Sequence, residues 1–184
     1  SLPSPYGVGN LGQAAFEFVD FLKKAGQSYW QILPICPPGY GDSPYQAFST
    51  FAGNPYLIDP EQLVEHGWLD RAALDAVQWG TRADEVDFQA MYQNRLRVLR
   101  QAWAAFRIQP PADFAEFVRQ KAAWLDEYAL FMAVKAHFGD GPWTDWPADI
   151  RLHQPQAIAR WREALADEIE FQQFLQYCFF TQWQ

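Results

Sequence analysis

One short segment of this sequence combines aromatic rings with several kinds of hydrogen-bonding side chain. Residues 39–46, GYGDSPYQ, place two tyrosines, a hydroxyl, a carboxylate and an amide within eight positions, and we call them the tyrosine loop. Its glycines allow close turns and its proline stiffens the backbone. A sugar site needs a flat ring for the apolar face of the sugar, and donors and acceptors for its hydroxyls. The same residues are also compatible with a structural turn, in which Asp42 caps nearby amides and the tyrosines are buried.

The elements before the tyrosine loop determine where it lies. Apolar residues at helical spacing predict a helix from Leu11 to Ala25, which Gly26 ends. Residues 28–35, SYWQILPI, are aromatic and β-branched in part and predict a strand buried on both faces. A helix followed by a strand is half of a βαβ unit, so we expect a preceding strand upstream of Ser1. Loops at the carboxyl ends of parallel strands build binding sites, and the tyrosine loop takes that position.

The rest of the chain is predicted to be helical almost throughout. Asp113 and Glu116 predict a capping box at the start of one long helix, and residues 141–147, GPWTDWP, predict a rigid aromatic turn. The predicted fold class is therefore α/β, helix-dominated, with a mainly helical insertion. The chain is predicted to divide into three parts: 1–60 with a helix, a strand and the loop, 61–153 as a helical insertion, and 154–184 with a final helix from Pro155. The helices predicted within the insertion cover 61–66, 71–77, 92–106 and 113–138.

Composition excludes several classes of function. The net charge is −8 with no basic stripe, which argues against a nucleic-acid partner. The two cysteines, Cys36 and Cys178, form no disulfide framework, so we expect a reducing, cytoplasmic compartment. No apolar run is long enough to predict a membrane partner. The chain opens without methionine and stops within a helical pattern, so we expect both ends to lie inside a longer protein.

Two sequence blocks carry a specific resemblance to a known family. SLPSPYGVGNLG at residues 1–12 and AGQSYWQILPICPPGYGDSPYQAFSTFAGNPYLID at residues 25–59 resemble the opening of the 4-α-glucanotransferases, the amylomaltase family (glycoside hydrolase family 77). Both are long and rich in rare residues. Weaker blocks that are similar to the family follow in the expected order at 86–92, 124–132, 142–147 and 179–183.

The resemblance implies a (β/α)8 TIM-barrel enzyme that cleaves an α-1,4-glucosidic bond and transfers the glucan to a new 4-hydroxyl with retention. Its substrates are α-1,4-glucans, namely maltooligosaccharides and segments derived from starch or glycogen, and it needs no cofactor or metal. The catalytic carboxylates of the family lie on later barrel strands, and no position of residues 1–184 matches their motifs. We therefore expect no catalytic residue, and no activity, in this chain alone.

The resemblance also implies which residues bind substrate. Ser43 and Tyr45 match residues that line the main glucan cleft, with Tyr45 near the cleavage point. Tyr40 and Tyr92 match aromatics of a secondary glucan groove. Tyr92 also falls on an apolar helix stripe, so its position alone is equally compatible with a role in the core. Asp42 is expected to fix the loop.

Two other functions remain compatible with these residues. The chain could be a glucan-binding module without catalysis, or a helical scaffold whose aromatic residues all belong to the core. If the chain is a segment of a barrel, the strand edges and apolar faces that neighbouring strands and helices normally bury are uncovered in it. We therefore expect the chain alone to be unstable, to associate or to fold back on itself in a different arrangement.

Overall fold

The computed structural model describes residues 2–39, 41, 43–82 and 85–184. These residues form eight α-helices and two single 3-10 turns, at Pro55–Leu57 and Trp143–Asp145. No helix in this described part of the chain is long and apolar enough to cross a membrane. The helices are α1 (Gln13–Lys24), α2 (Pro60–Glu65), α3 (Arg71–Asp75), α4 (Phe88–Phe106), α5 (Phe114–His137), α6 (Ala148–Arg151), α7 (Pro155–Ala164) and α8 (Ala166–Trp183).

Aspartates start three of the helices. The carboxylates of Asp59, Asp70 and Asp87 accept backbone N–H groups at the first turns of α2, α3 and α4, at 3.3, 3.0 and 2.9 Å. Each of these N-cap residues has an extended backbone, which aims the side chain at the free amides of the first turn. Local sequence therefore accounts for where these helices begin.

The capping box predicted for α5 does not form. Asp113 has a helical backbone (φ −84°, ψ −10°) instead of the extended one that an N-cap uses, and it makes no side-chain cap hydrogen bond. Its Oδ1 atom accepts a hydrogen bond from the Tyr177 hydroxyl at 2.9 Å, and Glu116 binds Arg119 and Gln120. A distant tyrosine therefore replaces the local amide as the partner of Asp113.

The final helix is also divided, contrary to the prediction of one helix from Pro155. The helices α7 and α8 are separated at Leu165, where φ is −114°. This φ lies outside the range of an α-helix, and the chain resumes its helical course at Ala166.

The chain divides into two compact units. The first comprises Ser1–Pro111 together with Cys178–Gln184, and the second comprises Ala112–Tyr177. The boundary follows the Pro110–Pro111 pair and lies inside the predicted 61–153 region. The core of the first unit includes Ile58, Leu63, Leu74, Val98, Leu99, Phe106 and Phe179, each at most 1% exposed. The core of the second unit joins α5, the aromatic turn, α6, α7 and the start of α8 through Ala129, Leu130, Ala133, Val134, Trp146, Ile150, Ala157 and Ile169.

The segment predicted as a buried strand is neither buried nor paired. None of the described residues belongs to a strand, and 27–35 has no ladder partner in this part of the chain. Tyr29 is 93% exposed and Leu33 is 59% exposed. A strand requires a run of hydrogen bonds to a neighbour, whereas the Asn54 N–H donates to the Ile35 carbonyl at 2.9 Å without forming such a run in the described chain. The prediction of a strand buried on both faces is therefore wrong for this segment as the structure describes it.

Candidate functional site

Backbone contacts join the two arms of the chain at the base of the tyrosine loop. The backbone N–H of Phe48 donates to the Pro37 carbonyl at 3.2 Å, and the N–H of Gly39 donates to the Gln46 carbonyl. An isolated antiparallel bridge between Pro38 and Ala47 joins the two arms. A Cβ atom at Gly39 would lie 3.0 Å from the Gln46 carbonyl oxygen, so the close approach of the arms favours glycine there. The base therefore fixes both ends of the loop.

Ser43 and Tyr45 lie together near the end of the loop. The Ser43 hydroxyl accepts a hydrogen bond from the Tyr45 backbone N–H at 3.4 Å, and the Ser43 carbonyl accepts one from the Gln46 N–H at 3.0 Å. This turn leaves the Tyr45 side chain 74% exposed and Ser43 half-buried. Tyr45 therefore has the exposure that a ligand contact requires, while the other two residues singled out here, Tyr40 and Asp42, lie outside the described residues.

Tyr92 lies on α4 in a small aromatic cluster. Its ring meets Tyr56 edge-on at a centroid distance of 5.3 Å and lies 6.2 Å from Phe88 at a tilt. Tyr92 is half-buried and Phe88 is 49% exposed, so the cluster presents part of its aromatic surface to solvent. The described ring contacts of Tyr92 do not include Tyr45. Both a core role and a ligand role for Tyr92 remain compatible with this placement.

The buried Arg95 was not predicted from the sequence. Its side chain is fully buried, donates to the Ile58 carbonyl at 3.0 Å and to the Tyr6 carbonyl at 2.8 Å, and lies 4.9 Å over the Trp79 ring. Burial lowers the pKa of the guanidinium to about 10. Arg95 thus ties the first residues of the chain and the end of the 3-10 turn to the helix that carries Tyr92. The available signal was position, since Arg95 lies four residues after buried Met91 and four before buried Leu99.

Asp59 connects three parts of the first unit. Its carboxylate accepts from the Asn10 amide at 2.8 Å, and its backbone N–H and carbonyl pair with the Gln182 side chain at 2.7 and 3.1 Å. A Cβ atom at Gly12 would lie 2.6 Å from the Asp59 Oδ2 atom, so only glycine fits there. Burial raises the pKa of the Asp59 carboxyl. These partners show that Asp59 stabilises the fold.

A second carboxylate nearby is also fully engaged. Glu61 accepts hydrogen bonds from both terminal nitrogens of the Arg71 guanidinium and from the Tyr6 hydroxyl. The hydrogen bond from Arg71 lowers the pKa of Glu61 to about 2, despite partial burial. Burial and the contact with Glu61 raise the pKa of Tyr6 to about 12. This cluster fixes the N-terminal segment against α2 and α3, and its lowered pKa keeps Glu61 ionised near neutral pH.

Within the described ranges, no group of three or more His, Cys, Asp and Glu side chains is arranged to hold a metal ion. The tyrosine loop places the exposed Tyr45 ring and the Ser43 hydroxyl above a base that backbone contacts close. Such a surface can bind and orient a neutral polyhydroxyl ligand, because it offers a ring face together with hydrogen-bonding groups.

Comparison with known proteins gives consistent matches along the whole chain. The profile of the family described as 4-alpha-glucanotransferase matches residues 1–184. The 4-alpha-glucanotransferase of Clostridium butyricum is 43% identical over 183 residues, covering 100% of this chain and 38% of that protein. The enzyme of the same name from Thermus thermophilus is 44% identical over 187 residues, covering 100% of this chain and 36% of that protein.

A solved structure agrees with these matches. The amylomaltase of Streptococcus agalactiae, solved in complex with acarbose, superimposes with a TM-score of 0.94 at 35% identity, covering 100% of this chain and 37% of that one. The chain thus spans between a third and two fifths of the length of these relatives. The match of the family profile to all 184 residues, together with these relatives, shows that the chain belongs to the 4-alpha-glucanotransferase family.

Proposed function

We propose that this chain is part of an enzyme that transfers α-1,4-glucan segments to a new 4-hydroxyl by a retaining mechanism, and that its tyrosine loop lines the main glucan cleft. The observation that carries the proposal is the 74% exposure of Tyr45 on a loop whose base is closed by the Pro38–Ala47 bridge. A large exposed ring on a fixed loop is prepared for a ligand at little cost in conformational entropy.

The fold proposal is a (β/α)8 barrel in which α1 and residues 28–35 are one helix and one strand. Two features support it. The helix α1 has no buried residue although its apolar side chains lie at amphipathic spacing. Residues 28–34 are mostly apolar and yet exposed. In an all-parallel barrel both elements would gain cover from neighbouring strands and helices.

Within this enzyme the chain contributes binding and orientation. Tyr45 places its ring against the apolar face of a sugar near the cleavage point, and the Ser43 hydroxyl offers a hydrogen bond to the same chain of sugars. Tyr40 and Tyr92 contact a more distant part of the glucan in a secondary groove. The nucleophilic and acid carboxylates of a retaining mechanism come from outside residues 1–184, so the chain alone has no transferase activity.

Calorimetric titration with maltoheptaose tests the binding role. Tyr45→Ala should raise the Kd about tenfold, which corresponds to a loss of about 1.4 kcal/mol of binding free energy. Tyr29→Ala is the matched control, since Tyr29 is 93% exposed but lies outside the tyrosine loop. Equal affinities of the Tyr45 variant and the unmodified chain would refute the cleft assignment.

Incubation with maltotriose tests the absence of catalysis. The proposal predicts no free glucose from the chain alone and glucose release by the longer enzyme to which it belongs. A glucan-binding module without catalysis is the second candidate, because the described carboxylates Asp59 and Glu61 are both engaged in structural contacts. Binding without turnover in the longer protein would favour that candidate. Glucose release by the chain alone would contradict both.

A further inference from the structure

The second unit contains a cavity that the proposed cleft does not use. It encloses about 200 Å³, room for one ring-sized group, and its lining comes from α5, α6 and the aromatic turn. Its apolar lining is formed by Leu130, Phe131, Val134, Trp143, Trp146 and Ile150. Its polar lining is formed by Glu127, Arg151 and His153, which are solvent-exposed and therefore lie at the mouth.

Trp143 is held in place although it is exposed. Its ring is 54% exposed. Arg151 donates to the Thr144 carbonyl at 2.6 Å on one side of the turn, and Lys135 donates to the Gly141 carbonyl at 3.4 Å on the other. Pro142 further restricts the backbone before Trp143. An exposed indole on a turn bound at both ends is a preorganised contact surface.

The mouth also presents a fixed acceptor. One oxygen of Glu127 accepts from Arg162 at 2.7 Å, and the other lies 3.2 Å from His153. A carboxylate has about four lone-pair sites, so both oxygens retain capacity for a ligand hydroxyl. Arg151 uses one of its two terminal nitrogens on the turn. Donors and an acceptor therefore surround the same opening.

This combination favours one class of ligand. A purely apolar ligand would remove Glu127 and Arg151 from water and return no hydrogen bonds. A small ion would leave the apolar and aromatic wall of the cavity uncovered. A neutral sugar ring satisfies both regions, because its C–H face covers aromatic surface and its hydroxyls bind donors and acceptors.

We propose that this cavity binds one glucose unit at the end of an α-1,4-glucan chain, with the Trp143 ring against the sugar face and Glu127 accepting a hydroxyl. The inference rests on the proposed function for the identity of the sugar. The site belongs to the second unit, whereas the cleft and groove residues belong to the first, and it would retain long glucans without taking part in the transfer.

Two-dimensional NMR of the tryptophan indole N–H groups during titration with maltotriose tests the site. Trp143→Phe assigns the Trp143 signal among the nine tryptophans. We expect this signal to shift saturably with maltotriose and not with cellobiose, both in the unmodified chain and in Tyr45→Ala. The shift of the neighbouring Trp146 signal should require about tenfold more maltotriose in Trp143→Ala and about fivefold more in Glu127→Gln.

Leu152→Ala is the matched control, because Leu152 is 66% exposed, adjoins Arg151 and does not line the cavity. Its titration should be unchanged. The site is refuted if the Trp143 signal is unmoved at saturating maltotriose, whether or not Tyr45-dependent binding is seen. It is equally refuted if Trp143→Ala leaves the Trp146 titration unchanged. A Trp143 shift without any Tyr45-dependent binding would leave this site standing and overturn the cleft proposal instead.

Discussion

Arg95 illustrates how a charged residue can organise a core. Its guanidinium is buried among apolar residues, and its hydrogen-bond partners are the neutral carbonyls of Tyr6 and Ile58. Both terminal nitrogens of this buried cation are hydrogen-bonded, while its Nε atom is buried without a partner among the described residues, and the two carbonyls gain a strong charge-assisted donor. Arg95 therefore links α4 to Tyr6 and Ile58, which both lie outside the α-helices.

Replacing Arg95 by methionine tests this link. Arg95→Met keeps most of the apolar stem but leaves two buried carbonyls without donors, so we expect the free energy of unfolding to fall by about 2–4 kcal/mol. Urea denaturation followed by circular dichroism measures it. Arg97→Met is the control, since Arg97 is exposed on the same helix and binds Asn94. Similar losses for both variants would contradict a special role for Arg95.

The Glu61 cluster predicts a defined dependence of stability on pH. Arg71 lowers the pKa of Glu61 from 4.5 to about 2 in the folded state. The unfolded chain therefore takes up the proton first as pH falls, and the contribution of Glu61 is complete above pH 4.5 and is lost between pH 4.5 and 2. The difference in urea midpoint between the unmodified chain and Glu61→Gln should be constant above this window and shrink within it. Glu65→Gln, at an exposed position of the same helix, should show a much smaller change.

The end of α8 packs closely against the segment that follows the tyrosine loop. Phe179 is 1% exposed, and a Cβ atom at Gly53 would lie 2.0 Å from its ring. Three residues further along α8, Gln182 pairs with the Asp59 backbone. The end of α8 is thus fixed to the segment that follows the tyrosine loop by one steric and one polar contact.

Gly53→Ala tests the steric contact. The added methyl group cannot fit beside the buried ring without displacing α8, so we expect a loss of about 3 kcal/mol of unfolding free energy, the upper part of the range for overpacked cores. Thermal and urea unfolding provide the measurement. In the control Gly141→Ala, the new Cβ atom would lie 3.4 Å from its nearest neighbour, and the stability should change little. An unchanged stability of Gly53→Ala would show that the helix does not approach this closely.

The same elements show what could be predicted from sequence. Helices such as α1 and α4 were predicted because their apolar spacing and their terminal residues are local signals. The strand at 28–35 was predicted from composition, but pairing depends on neighbours that composition does not contain. Asp113 was assigned to a local cap and instead binds Tyr177, which lies 64 residues away. The tyrosine loop was identified from its residue types. The contacts of Arg95 and Asp59 join segments that are distant in sequence, and local residue types and spacing do not reveal such pairs.

The first unit exposes an apolar surface that a stable isolated domain would cover. On α1, Phe16 is 52% and Phe21 is 61% exposed, and Phe18 contacts Trp30 at a centroid distance of 5.0 Å. The exposed residues of 27–35 therefore adjoin those of α1 and extend the same surface. Contiguous apolar surfaces of this kind mark interaction sites or cause association.

We accordingly expect the chain alone to associate. Size-exclusion chromatography with light scattering should give a mass that rises with concentration above the 21.3 kDa of one chain. Phe21→Glu should reduce this association, because it places a charge within the apolar surface. Ile108→Glu, at an 83% exposed position away from α1, should not. A mass of one chain at all concentrations, with a sharp melting transition, would mean that the chain is stable with this apolar surface exposed to solvent. The (β/α)8 proposal would then lose its main physical support, since it attributes the exposure of α1 and residues 28–35 to neighbours from the rest of the barrel.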